Sequence, residues 1–180
     1  MSAPEAWLRG PVAGIAPLLQ PAAHAFLQIG EELARLLPSC TMEEAWATPG
    51  GAPSIAYHAR HLAGSTDRLL TYAAGRPLDA AQLQRLRAEG TPQTPLADGE
   101  ALWHEVDAAL AEALRQLHEW SGRAGELLAP RTVGRHALPS TVLGLLFHSA
   151  EHAQRHAGQI ATTARIVRGL RPASEAASSA

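Results

Sequence analysis

Three histidines, His148, His152 and His156, recur every fourth residue in a segment whose other residues follow a helical repeat. On an α-helix, side chains at i and i+4 share one face about 6 Å apart. Two imidazoles so placed can hold one metal ion, as in helical two-histidine zinc sites. All three cannot, because His148 and His156 stand roughly 12 Å apart along the axis. The helix therefore offers a pair, and the rest of any site comes from elsewhere. Its apolar stripe runs through Val142, Leu145, Ser149, His152, His156, Ile160, Thr163 and Val167, which sets His152 and His156 on the core face and His148 at its edge. Leaving four buried ring nitrogens unpaired costs about 1–3 kcal/mol each. A metal takes two of them, and carboxylates, carbonyls or water must take the others.

The remainder of the chain supplies helices for this one to pack against. β-branched runs are almost absent, while Ala, Leu, Glu and Arg abound, so the chain reads as all-α. A first helix follows Pro21, with Phe26, Ile29, Leu33 and Leu36 or Leu37 on its apolar face, and Pro38 stops it. A linker over 39–54 ends in Ser54, an N-cap for a second helix that Gly75 and Pro77 close. Asp98 caps a third helix running to about Trp120, a Gly/Pro-punctuated loop follows, and Ser140 caps the fourth, which runs to about Arg168. Residues 76–97 hold only a short helical piece over 79–90. Neighbouring bundle helices usually need about 2–8 connecting residues, so this stretch suits a long crossover between helices two and three of a four-helix bundle. One domain over 1–180 is expected, with a loosely packed leader at 1–16 and a disordered tail at 170–180.

Composition narrows the partners. With 180 residues, 46% of them hydrophobic, and a net charge of −2, the chain can bury a core without staples and has no electrostatic reason to bind nucleic acid or an anionic membrane. Its single cysteine, Cys40, permits no intrachain disulfide and fits a reducing compartment. No signal peptide and no run of about 18 apolar residues occurs, so a cytoplasmic protein outside the membrane is expected.

The candidate third ligand is a histidine of helix two, where His58, His61, Ser65, Arg68 and Tyr72 form a polar flank beside the apolar face. Periodicity slightly prefers His58, the nearer to the apolar centre, and leaves the choice open. His24, His104, His118 and His136 read as surface or helix-end residues. Three neutral imidazoles with an open position are the donor set of a catalytic zinc site, although imidazole also suits nickel, copper or iron.

The stretches SIAYHARHLAGSTDRLL and TVLGLLFHSAEHAQRHAGQI resemble the DinB-like (DinB/YfiT) superfamily of bacterial four-helix-bundle metalloproteins. There, a histidine of the second helix joins an HxxxH pair that commonly precedes an (R/x)GQ triplet. The resemblance spans roughly residues 20–168 and implies His61, His152 and His156 as the metal ligands, the last preceding Ala157, Gly158 and Gln159. Ala157 stands where arginine is frequent, which puts in doubt a role for that arginine and not the triad. The resemblance further implies an up-down-down-up bundle, a homodimer, and a divalent ion, zinc or nickel foremost. Its functional implication is a metal-dependent thiol transferase or hydrolase acting on a small molecule. Arg68, Tyr72 and Glu151 are weak catalytic candidates, with Ser65 and Gln159 as auxiliaries, and Arg68 reads more simply as a surface ion pair. The alternative is a non-catalytic metal-binding or stress-response protein, its ion closed off by a fourth ligand such as His58, His148 or Glu151.

Overall fold

Four long amphipathic segments become the four long helices of the computed structural model, which describes residues 4–92 and 97–170. They are α1 (Gln20–Leu36), α3 (Ile55–Ala73), α5 (Gly99–Ser121) and α6 (Val142–Gly169). Two shorter helices, α2 (Met42–Trp46) and α4 (Ala80–Ala88), lie in the connections. Pro21 sits in the first turn of α1, where a missing N–H costs nothing. The side chains of Ser54 and Asp98 accept from the backbone N–H groups of Tyr57 and Ala101, capping α3 and α5 as their sequences predict. At α6 the cap is Thr141 rather than Ser140, its hydroxyl accepting from Gly144.

Helix α3 packs against α6 and α5, and α1 packs against the same two. The stripes meet in a common core that includes Phe26, Ile29, Leu33, Leu62, Leu102 and Leu117, each 0–1% exposed. Burying such side chains stabilises the fold by about 1.5–3 kcal/mol apiece. At the start of α5 the packing leaves no room for a side chain. The Gly99 N–H donates to the Cys40 carbonyl at 3.2 Å, and a Cβ at this residue would sit 2.0 Å from the Leu37 carbonyl oxygen. Residues 4–16, expected to be a loose leader, lie against α1: Ala6 is buried and its N–H donates to the Gln28 side chain at 2.9 Å.

Two elements were not expected. Helix α2 occupies part of the anticipated linker and is held by a capping box in which Thr41 and Glu44 each accept from the other's backbone N–H. The loop before α6 contains a β-hairpin, β1 (Pro130–Val133) and β2 (Leu138–Thr141), antiparallel with Val133 opposite Leu138. The crossover between α3 and α5 carries α4, as its sequence suggests, with an Asp79–Gln82 capping box. The part of that crossover at 93–96, and the tail expected to be disordered at 171–180, lie outside the described residues. Among the described residues no helix is long and apolar enough to cross a membrane.

Candidate metal centre

Helices α3 and α6 lie side by side, so the polar flank of one faces the histidine stripe of the other. His61 of α3 meets His152 and His156 of α6, and one ring nitrogen from each lies within 4.8 Å of the others. His61 Nε2 is 3.0 Å from His152 Nε2. Ring centroids stand 5.2 Å apart for His61–His152, and 4.6 Å for both His61–His156 and His152–His156. Two nitrogens on one ion at about 2.0–2.1 Å each are at most about 4.2 Å apart, so the group is close to ligating geometry.

His58 is placed differently. It is 5% exposed, and its Nδ1 lies 3.1 Å from His156 Nδ1, one turn from the cluster and outside it. Periodicity thus identifies the more deeply buried of the two α3 histidines, whereas the resemblance identifies the one that joins the pair. His148 is exposed at the edge, paired with Glu151 at 3.1 Å. Among the described residues no fourth side chain completes the group.

A carboxylate that the sequence did not single out stands behind the cluster. Glu89, just past α4, is 5% exposed. Its Oε2 accepts from His61 Nδ1 at 2.7 Å, and its Oε1 accepts from the Arg68 guanidinium. Burial alone would raise the Glu89 carboxyl, but the bonds from His61 and Arg68 outweigh it and hold the group below its usual range. Arg68 is therefore half of a buried pair rather than the surface pair expected of it. Tyr57 stacks on the His61 ring at 5.6 Å with the planes 11° apart.

The other auxiliary candidates lie apart. Tyr72 lines a cleft with Arg76, Pro77 and Arg131 beside the hairpin. Glu151 pairs with Arg155 at 2.5 Å. Ser65 is buried, its hydroxyl donating to the Leu62 carbonyl, and Gln159 is exposed. His104 and His136 are exposed as read, while His24 and His118 reach the carbonyls of Gly10 and Gly14.

The proton pattern of the cluster fits a cation. With His61 Nδ1–H donated to Glu89, the neutral ring carries its lone pair on Nε2. Without an ion, His152 Nε2 supplies the proton between the two rings, and an ion bound between the two Nε2 atoms would shift that proton to His152 Nδ1. That atom is buried and has no hydrogen-bond partner. Burial, followed by the charges of neighbouring rings, lowers the pKa of His58 and His152 and takes His156 down to about 4. At neutral pH these rings hold lone pairs that protons do not compete for, the form in which imidazole binds metal.

The sequence profile of the DinB superfamily matches residues 25–160, a span containing all four elements of the cluster's surroundings: α3, Glu89, His152 and His156. No curated protein sequence matches the chain. Among solved structures, a conserved protein from Enterococcus faecalis is similar in fold, with a TM-score of 0.64 and 19% identity over 84% of this chain and 97% of that one.

Proposed function

Since the chain belongs to the DinB superfamily, we propose that it binds a divalent metal ion, zinc or nickel foremost, through His61, His152 and His156, and works as a metal-dependent enzyme on a small molecule. The observation that carries this reading is the convergence of three imidazoles from two helices with no fourth protein ligand among the described residues. A structural zinc site is closed by four protein ligands, whereas a catalytic one keeps a position open. His61 is 19% exposed in its side chain, so the cluster is reachable from solvent.

A divalent ion held there would supply Lewis acidity, activating a water for hydrolysis or a thiol for transfer. The chain's own residues do the rest. Glu89 fixes the His61 tautomer, His58 occupies the inner nitrogen of His156, and Tyr57 packs against the face of His61. Arg68, Tyr72 and Glu151 were the candidate catalytic groups. Arg68 stands nearest to that role, through Glu89, while Tyr72 and Glu151 face other surroundings. We take the long helices to run up-down-down-up in a single domain, with the crossover at 76–97 returning the chain to its starting end. A homodimer in a reducing, cytoplasmic setting completes the reading.

One observation favours a second reading, a non-catalytic or stress-response metal protein. The cluster bridges α3 and α6, which share the most extensive helix–helix contact of the fold, so an ion there would also tie the two together. Metal content and affinity decide the common premise. Protein purified without a polyhistidine tag should bind about one divalent ion per chain, and His61→Ala and His152→Ala should abolish that binding. Unchanged content in both variants sinks the assignment. Thiol-dependent transfer, or hydrolysis of small esters and amides, by the loaded protein then separates enzyme from binder.

A further inference from the structure

Among the described residues Glu89 is the one buried carboxylate touching the cluster, and it comes from neither helix that carries the histidines. It sits at the end of α4, in the crossover. Its two oxygens are divided between two donors, Oε2 taking His61 Nδ1–H and Oε1 the Arg68 guanidinium. Arg68 is itself 8% exposed, so the carboxylate is braced from behind by a buried cation. A ring whose Nδ1–H is engaged by a carboxylate keeps its lone pair on Nε2, and the negative charge makes that nitrogen a stronger donor. His61 Nε2 is the atom facing His152 Nε2 at 3.0 Å.

A glycine makes room for this carboxylate. Gly64, one turn after His61, has no Cβ, and a Cβ built there would lie 2.4 Å from Glu89 Oε1 and 2.8 Å from Arg68 Nη1. A glycine inside a helix costs roughly 0.5–1 kcal/mol relative to alanine. Here the space is filled by the tips of the ion pair.

Resting on the three-histidine reading above, we infer that Glu89 is a positioning residue for the proposed metal site, braced by Arg68 and admitted by Gly64. It aims and polarises His61 from the crossover without ligating the ion. Outer partners of this kind typically change metal affinity by about 10–100-fold.

Zinc affinity, measured by competition with a chromophoric chelator on tag-free protein, tests this across wild type, His152→Ala, Glu89→Gln and Gly64→Ala. Glutamine keeps the shape but carries no charge, and its amide cannot accept from both His61 and Arg68. Alanine at 64 favours the helix yet displaces the carboxylate tip, so it separates positioning from folding. The expected result is loss of binding in His152→Ala and a 10–100-fold weakening in both Glu89→Gln and Gly64→Ala, with Gly64→Ala keeping the helical circular dichroism of wild type. Wild-type affinity in His152→Ala overturns the three-histidine reading, and this inference with it. Loss in His152→Ala beside wild-type affinity in Glu89→Gln overturns the inference alone. If Glu89→Gln lacks the helical circular dichroism of wild type, Gly64→Ala decides: weakened binding supports the inference and unchanged binding overturns it.

Discussion

The two pairs of long helices bury different chemistry. Helices α1 and α5 bury Phe26, Ile29, Leu33, Leu102, Val106 and Leu110 among others, and Gln116 is their one buried polar side chain. Helices α3 and α6 bury His58, Ser65, Thr66, Arg68, Ser149 and His156 in the same kind of stripe. The first pair is an apolar interface of the sort that stabilises a bundle at every layer. The second contains orphaned groups, among them the Ser149 hydroxyl and His152 Nδ1, and each such group costs about 1–3 kcal/mol when nothing pairs with it. Such groups are tolerated because the apolar pair of long helices holds the fold.

This division can be broken experimentally. The largest effect is expected on the apolar side: Phe26→Ala should lose about 3–5 kcal/mol in denaturant unfolding, with zinc affinity of the folded fraction unchanged. If that variant instead lost metal binding while folded, the two halves would not be separable. Next comes pH. His58, His152 and His156 titrate below their ordinary range in the folded chain. Between about pH 6.5 and pH 4 the unfolded chain therefore holds more protons, and stability falls as pH drops through this window. For metal-free protein the loss should be on the order of 3 kcal/mol, and a His58→Leu, His156→Leu double variant should flatten the profile; a slope as steep as wild type would place the titration elsewhere.

Smaller still is His58→Leu alone, which leaves His156 Nδ1 without the partner it has at 3.1 Å. About 1–3 kcal/mol should be lost, and calorimetry of the metal-free protein would show it; a neutral outcome would mean that water replaces the ring. The smallest effect belongs to the hairpin, which lies against the C-terminal end of α3 rather than at the cluster. Ala137 has φ +48°, a left-handed conformation that a Cβ disfavours. Ala137→Gly should stabilise by up to about 1 kcal/mol, read as a rise in melting temperature with no change in zinc affinity.

What the sequence disclosed follows from which forces are local. The four long helices were legible because their apolar stripes repeat over many turns and their ends carry caps at Ser54 and Asp98. The His152–His156 pair was legible because helical spacing is itself a distance. His61 was not separable from His58 by pattern, since periodicity measures burial and the more buried ring is the one outside the cluster. Helix α2 escaped notice because five residues have no period to detect. The hairpin was masked by Pro130 and Pro139 in its strands, residues that argue against a sheet. Glu89 escaped for a different reason: it reaches His61 only through the return path of the crossover, 28 positions along the chain, and no local pattern encodes that.

The bare backbone at Gly99 has a further consequence. Sliding α5 by one residue would drive the Cβ of Asp98 or Glu100 into the Leu37 carbonyl, where only a hydrogen now fits. The helix is thereby indexed like a key with a single notch. Leu102, Val106 and Leu110 can enter the interior in one setting alone, and the crossover that presents Glu89 must end at a fixed place.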